Sequence, residues 1–190
     1  MDTHPDLLSP ADAAPLLRRG AVLAYPTEAV WGLGCDPFNE AAVRRLLTLK
    51  DRPVEKGMIL IAGAFEQLDG LLGWDALPPA CADEVRSSWP GPNTWVVPAT
   101  SRVPRWITGV HAGVAVRVSA HPVVVAVCAA FGGPLVSTSA NPAGAPPPAT
   151  LDALDAALRT SLDGIVGGET GGLARPTAIR DARSGAVLRL

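Results

Sequence analysis

Long apolar stretches are missing from this sequence. The longest uninterrupted run, Val123 to Phe131, has nine residues, against about 20 for a helix that crosses a bilayer. It is read as a buried helix or strand, and no membrane segment is expected. Charge is also sparse: 18% of residues are charged and the net charge is −2. Such a surface does not advertise nucleic-acid binding, so any anion site must be local. Cysteine and histidine number three each. Cys35, Cys81 and Cys128 form no CxxC pattern and read as buried free thiols rather than ligands or nucleophiles. His4, His111 and His121 are too scattered for a metal cluster, and His121, before Pro122, reads as a turn or cap residue. No Walker A or dinucleotide glycine spacing, internal repeat, charge block or heptad run is present. Met1 to Asp6 has neither a basic nor an apolar region, so no secretory leader is expected and the protein is placed in the cytoplasm.

What is present points to a packed globule. The 190 residues fit one domain, 1–190, with enough length to bury a core without disulfides or metal. Nearly half of the chain is apolar, and nineteen glycines and nineteen prolines mark many defined turns. Ser9-Pro10 caps and opens a helix over 10–19, ended by Gly20. Asn39 caps a second helix on which Val43, Leu46, Leu47 and Lys50 keep the helical period. Helical patterns follow over 65–72, 79–88 and 122–131, and Thr150 caps another through Arg159. Strands are expected over 21–25, 58–62, 94–97, 114–118, 135–138, 165–166, 177–180 and 186–190. Helices and strands interleave, which favours an α/β layered fold.

Four segments carry chemistry. Tyr25 to Gly34 leaves a strand through Pro26, and its glycines permit close backbone approach; it either presents Thr27 to a ligand or is a tight strand-to-strand connection. Lys50-Asp51-Arg52-Pro53 places a compact cation and a planar one at a helix end, suited to phosphate oxygens or simply solvated there. Ser137 to Pro142 offers three hydroxyls and a carboxamide beyond a strand end, where α/β sheets bind ligands; an Asx-type turn is the plainer reading. Arg117 interrupts the strand Val114 to Val118 and either clamps a carboxylate or phosphate or, by alternation with Ala115, faces solvent.

Taken in this order, and with Trp89-Pro90-Gly91-Pro92, Ala115-Val116-Arg117-Val118 and His121-Pro122, these segments resemble the YrdC-type threonylcarbamoyl-AMP synthase family in its short bacterial form. The resemblance spans nearly the whole chain. It implies a twisted mixed sheet of about seven strands flanked by helices around a positively charged cleft. It also implies synthesis of L-threonylcarbamoyl-adenylate and pyrophosphate from L-threonine, bicarbonate or carbon dioxide, and ATP, with Mg²⁺ brought by no identified protein ligand. The product would feed N6-threonylcarbamoyladenosine formation on tRNA through hand-off to the tRNA threonylcarbamoyl transferase machinery.

By the same resemblance, Lys50 and Arg52 are catalytic, and these two with Thr138, Ser139, Asn141 and Arg189 bind ATP, while Thr27 and Arg117 bind threonine. Two departures stand out. Long-form members carry a Ser-Thr pair where this chain has Pro176-Thr177, and they continue into a further domain where this sequence ends at Leu190. Loops such as Ala143 to Pro148 are then expected to close the site, and Arg189 to lie near a frayed end. Two rivals are an RNA-binding or ribosome-maturation module using the same cleft, with at least a weak RNA contact, and a sugar-phosphate enzyme with acidic metal ligands. For the latter, Glu28 and Asp36 are thin support.

Overall fold

A computed structural model describes residues 7–189. The readings on Met1 to Asp6, on His4 and on Leu190 at the end of the last expected strand lie outside the described residues. Nine strands form one sheet: β1 (Leu23–Pro26), β2 (Trp31–Gly34), β3 (Ile59–Ala62), β4 (Thr94–Pro98), β5 (Gly113–Val118), β6 (Leu135–Ser139), β7 (Gly164–Ile165), β8 (Ile179–Asp181) and β9 (Val187–Arg189). Their order is β7-β1-β2-β6-β3-β5-β4-β8-β9. The sheet is mixed: β1/β7, β3/β5 and β4/β8 are parallel, and the other neighbours antiparallel. The strand that the sequence pattern hides is β2. Its four residues, Trp31-Gly32-Leu33-Gly34, hold two glycines and only Trp31 and Leu33 as strand formers, so it reads as a connection. Gly34 is there for packing: a Cβ on it would run into the Val136 carbonyl oxygen.

Helices cover both faces. On one face α1 (Pro10–Arg18) packs on α5 (Pro122–Phe131), joining Leu17, Leu23, Tyr25, Ile61, Val124 and Leu135 in one cluster. On the other face α2 (Glu40–Leu49), α3 (Pro79–Ser87) and α4 (Arg105–Thr108) help to bury Leu33, Leu46, Leu60, Val85, Ile107 and Val116. Alternate residues of a strand go to opposite clusters, as a period of two demands: Leu23 and Tyr25 to one, Ala24 to the other. Ser9 and Asn39 cap α1 and α2 through their side chains, as read from sequence. Cys35 and Cys128 are buried free thiols and Cys81 is half-buried. Burial pushes the Cys128 thiol up to about 12, which makes it inert.

Three expectations need correction. The helix expected from Thr150 is short: α6 runs over Ala156–Thr160 and is capped by Asp155, whose Oδ1 accepts from the Leu158 N–H at 2.8 Å. Thr150 caps only a bend, accepting from the Ala153 N–H. The 65–72 pattern yields one 3-10 turn, Phe65–Leu68, because Gly70 takes a left-handed φ of 74° and turns the chain. Nine strands form where the resemblance implies about seven, and of the nine only β2, which pairs fully with β1, was absent from the strands read along the sequence.

Candidate functional site

The α1/α5 cluster covers only part of its face. Beyond it, the residues of β3 to β6 and β8 that point the same way are left as the floor of a cleft. Period two selects them: Ser137 and Ser139 on β6, Ile59 on β3, Ala115 and Arg117 on β5, Val96 on β4, Ile179 and Asp181 on β8. Ala115 and Arg117 share a face as alternation requires, but that face is this floor and not open solvent. Arg117 is 6% exposed, which overturns the solvent-facing reading.

The floor carries two adjoining compartments. The larger has a volume of about 400 Å³ and is walled by Arg52, Lys56, Thr108, His111, Asp181 and Arg189. Arg52 reaches it because Asp51 adopts a left-handed φ of 45°, which turns the chain sharply after α2. Its guanidinium is then steadied by donating from Nη2 and Nε to the Gly57 carbonyl, at 2.8 and 3.2 Å. Burial and the nearby Arg189 charge lower the Arg52 pKa, and burial with the Arg117 charge lowers that of Arg189. Cations gathered against their own repulsion mark a place built for an anion. Arg189 sits in β9, paired with Ile179.

Lys50 takes a different place from the one a helix-end cation suggests. It is 8% exposed and lines neither compartment. Its Nζ donates to the Ser139 carbonyl at 2.7 Å, to the Asn141 carbonyl and to Asn141 Oδ1 at 3.3 Å. Asn141 Nδ2 in turn donates to the carbonyls of Pro142 and Ala145. Lys50 and Asn141 thus tie the segment behind Ser139 from beneath, while Thr138 and Ser139 face both compartments. Burial and the Arg52 charge pull the Lys50 ammonium down to about 8.

The smaller compartment, about 50 Å³, is bordered by Thr27, Glu28, Arg117, Pro176 and Thr177 and shares Ile59, Ser137, Thr138, Ser139 and Arg189 with the larger. Thr27 closes the β1–β2 hairpin: its N–H and its hydroxyl both donate to the Val30 carbonyl, at 3.1 and 2.7 Å. The segment is the tight strand-to-strand connection, and it leaves the Thr27 oxygen, at the border of this compartment, with only acceptor capacity. Arg117 pairs with Glu28 at 3.4 Å and donates to Thr177 and, at 3.4 Å, to Thr94, the residue beside it on β4. Glu28 is held by the Ser119 hydroxyl at 2.6 Å, and Ser119 also accepts from the His121 N–H. His121 heads α5, as expected of a turn residue, but its ring caps nothing and instead lies 3.0 Å from the Glu169 carbonyl.

The sequence drew no attention to Thr94 or Ser119, offered Glu28 only as thin support for a metal ligand, and marked Thr177 only as part of a departure from the family pattern. Thr177 directly follows a glycine-rich strap over residues 167–176 whose Gly171 and Leu173 N–H groups bond the Thr27 and Glu28 carbonyls. This strap, and not the Ala143 to Pro148 connection, borders the small compartment. The connection lines neither one and is anchored by the Pro148 carbonyl, which accepts from the Trp31 N–H. Among the described residues no group of three or more His, Cys, Asp or Glu comes together as a metal site. Asp181 is the one carboxylate among the residues named as lining the larger cleft, and its Oδ1 accepts from Arg183 and Ser184.

The chain has counterparts among known proteins. The Sua5/YciO/YrdC family profile, described as "Telomere recombination", matches residues 15–190. A protein of Xanthomonas euvesicatoria pv. vesicatoria named threonylcarbamoyl-AMP synthase is 60% identical over 184 residues, 97% of this chain and 98% of the relative. The crystal structure of P. abyssi Sua5 complexed with L-threonine superposes with a TM-score of 0.82 at 34% identity, covering 90% of this chain. This chain spans half the length of that Sua5 chain. E. coli YciO, at 23% identity and a TM-score of 0.82 over 95% of this chain and 87% of its own, shares the fold. With the match running through nearly every element that builds the cleft, the chain belongs to the Sua5/YciO/YrdC family.

Proposed function

We propose that this chain is a threonylcarbamoyl-AMP synthase, joining L-threonine, bicarbonate or carbon dioxide, and ATP into L-threonylcarbamoyl-adenylate with release of pyrophosphate. Identity near 60% over almost the full length to relatives of that name is the observation that carries the activity. For the roles of individual residues the support is the joined pair of compartments. The larger, with Arg52 and Arg189 at its wall, suits the triphosphate, and the smaller, with Arg117, suits the α-carboxylate of an amino acid.

In this reading no side chain is a covalent nucleophile. The threonine amine, in its neutral form, adds to carbon dioxide and gives up a proton to solvent, and the resulting carboxylate attacks the α-phosphorus of ATP, expelling pyrophosphate. Arg52 and Arg189 neutralise charge on the phosphates as the leaving group departs. Thr138 and Ser139, on the wall shared by both compartments, stand where the two substrates meet and hold them in one geometry. Lys50, catalytic and ATP-binding by resemblance, acts through that wall: its ammonium fixes the Ser139 and Asn141 carbonyls. The Thr27 oxygen is free to accept from the substrate hydroxyl. Mg²⁺ would come with the triphosphate, on phosphate and water oxygens, and would supply further charge neutralisation there.

Incubation with ATP, threonine and bicarbonate, followed by detection of pyrophosphate and the mixed anhydride, tests this function; product formed without bicarbonate would sink it. The rival RNA-binding module is not favoured, since relatives at this identity carry the synthase name. We further propose that residues 1–190 form one domain, which a single sheet running through all nine strands supports. The adenylate would be handed to a tRNA threonylcarbamoyl transferase in the cytoplasm. No helix among the described residues is long and apolar enough to cross a membrane. A weak RNA contact at the basic mouth would show as binding that falls steeply along a salt series.

A further inference from the structure

The small compartment is bordered by an ion pair that is imperfectly closed. Glu28 Oε2 and Arg117 Nη2 stand 3.4 Å apart, and both Glu28 Oε2 and Arg117 Nε are buried without any hydrogen-bond partner. Buried polar atoms are almost always satisfied, so two exceptions within one pair demand a reason. Each group is anchored at one end: Glu28 Oε1 accepts from Ser119 at 2.6 Å, and Arg117 Nη1 donates to Thr177 and Thr94. At the other end each keeps hydrogen-bonding capacity that no group among the described residues takes up. An acceptor of negative charge beside a donor of positive charge is the complement of a zwitterion.

We propose that Glu28 recognises the α-ammonium group of the substrate amino acid, while Arg117 takes its carboxylate. The proposal rests on the reading of this compartment as the threonine site. Among the charged residues that border it, Arg117 and Arg189 both repel an ammonium, and Glu28 alone attracts one. The hydroxyl proton of Thr27 is spent on the Val30 carbonyl, and a neutral oxygen is a weaker partner for a cation than a carboxylate. His121 joins this network only by its backbone N–H, which donates to the Ser119 hydroxyl, while its imidazole lies against the Glu169 carbonyl. Glu28 thereby distinguishes an amino acid from a plain hydroxy acid, a choice that matters because the amine is the atom to be carboxylated.

The test is a calorimetric titration of L-threonine and of (R)-3-hydroxybutanoate, which has the same carboxylate, hydroxyl and methyl groups but no amine. The wild-type protein is expected to prefer threonine by about 10-fold or more, the worth of one charge-assisted hydrogen bond. In Glu28→Gln, threonine binding weakens by about 10- to 100-fold, while (R)-3-hydroxybutanoate is unchanged or binds tighter, because Arg117 has lost its internal counter-charge. Equal weakening of both ligands would make Glu28 a mere prop for Arg117 and overturn the proposal. Should Glu28→Gln not fold, equal affinity of the wild-type protein for the two ligands overturns it alone. Pyrophosphate release dependent on threonine and bicarbonate separates the two failures: if it is absent, the synthase reading falls; if it is present and the titrations still disagree, only the Glu28 assignment falls.

Discussion

The two compartments differ in how their charges are treated. In the large one, Arg52 and Arg189 converge with no carboxylate bonded to either guanidinium among the described residues; besides burial, the Arg189 charge lowers the pKa of Arg52 and the Arg117 charge lowers that of Arg189. In the small one, Arg117 is met by a buried carboxylate and two hydroxyls. An open set of cations suits a polyanion, which brings all of the compensating charge itself. A pre-paired cation suits a ligand of no net charge, which exchanges one ion pair for two. Neighbouring sites that share a wall at Thr138 and Ser139 can thus sort a nucleotide from an amino acid by electrostatics before shape is considered.

The comparison breaks first if the small compartment fails to discriminate. A site that hydrogen-bonds a substrate hydroxyl rejects the analogue without it by roughly 10⁴-fold, so pyrophosphate release with valine is expected to fall that far below release with threonine. Serine, which keeps the hydroxyl, falls between them; parity of valine and threonine would remove the hydroxyl contact from the scheme. Next comes Arg117→Ala, which strands Glu28 in a pair whose side chains are 7% and 10% exposed. Removing one partner of a buried pair costs about 3–5 kcal/mol. Urea unfolding should show that loss, and the threonine KM should rise while the ATP KM stays put. A stability change below about 1 kcal/mol would mean that the pair is solvated.

Arg52→Ala is the mirror test: the ATP KM should rise by about 10- to 100-fold, as loss of a charge-assisted hydrogen bond predicts, with the threonine KM nearly unchanged. Ser139→Ala, which removes only a neutral hydroxyl from the shared wall, should cost less, about 2- to 10-fold in kcat/KM. The reverse order would shift the chemistry from the cations to the wall. A test on stability rather than turnover concerns Lys50, whose pKa is lowered to about 8 from its ordinary 10.5. Between those values the unfolded chain binds a proton that the native protein does not, so stability should rise with pH across that window and be flat for this group below it. Thermal unfolding of wild type and Lys50→Met from pH 7 to 10 checks this; equal slopes would show that the ammonium is not held as described.

Lys50 and Arg117 also show where sequence reading stops. Lys50 ends an amphipathic helix, and a cation there is ordinarily solvated; its burial depends on Ser139 and Asn141, about ninety residues away, arriving beneath it. The period of β5 places Arg117 on the face opposite Val116, but which face is a floor and which is solvent depends on where α1 and α5 end. Glu28, Ser119 and Thr177 meet across three segments with no local pattern linking them.

The sequence by itself determined the elements that obey local rules: the Ser9 and Asn39 caps, the amphipathic α2, the alternating β5, the glycines of β2, and the run of hydroxyls ending β6. These follow from side-chain periodicity and from hydrogen bonds spanning a few residues, which are written in the chain order. The tertiary structure alone decided that β2 is a strand, that Lys50 is buried, and that Glu28 stands against Arg117. Each of those depends on desolvation by residues remote in sequence, and the energy of a buried charge or an unpaired strand is set by what surrounds it, not by its neighbours along the backbone.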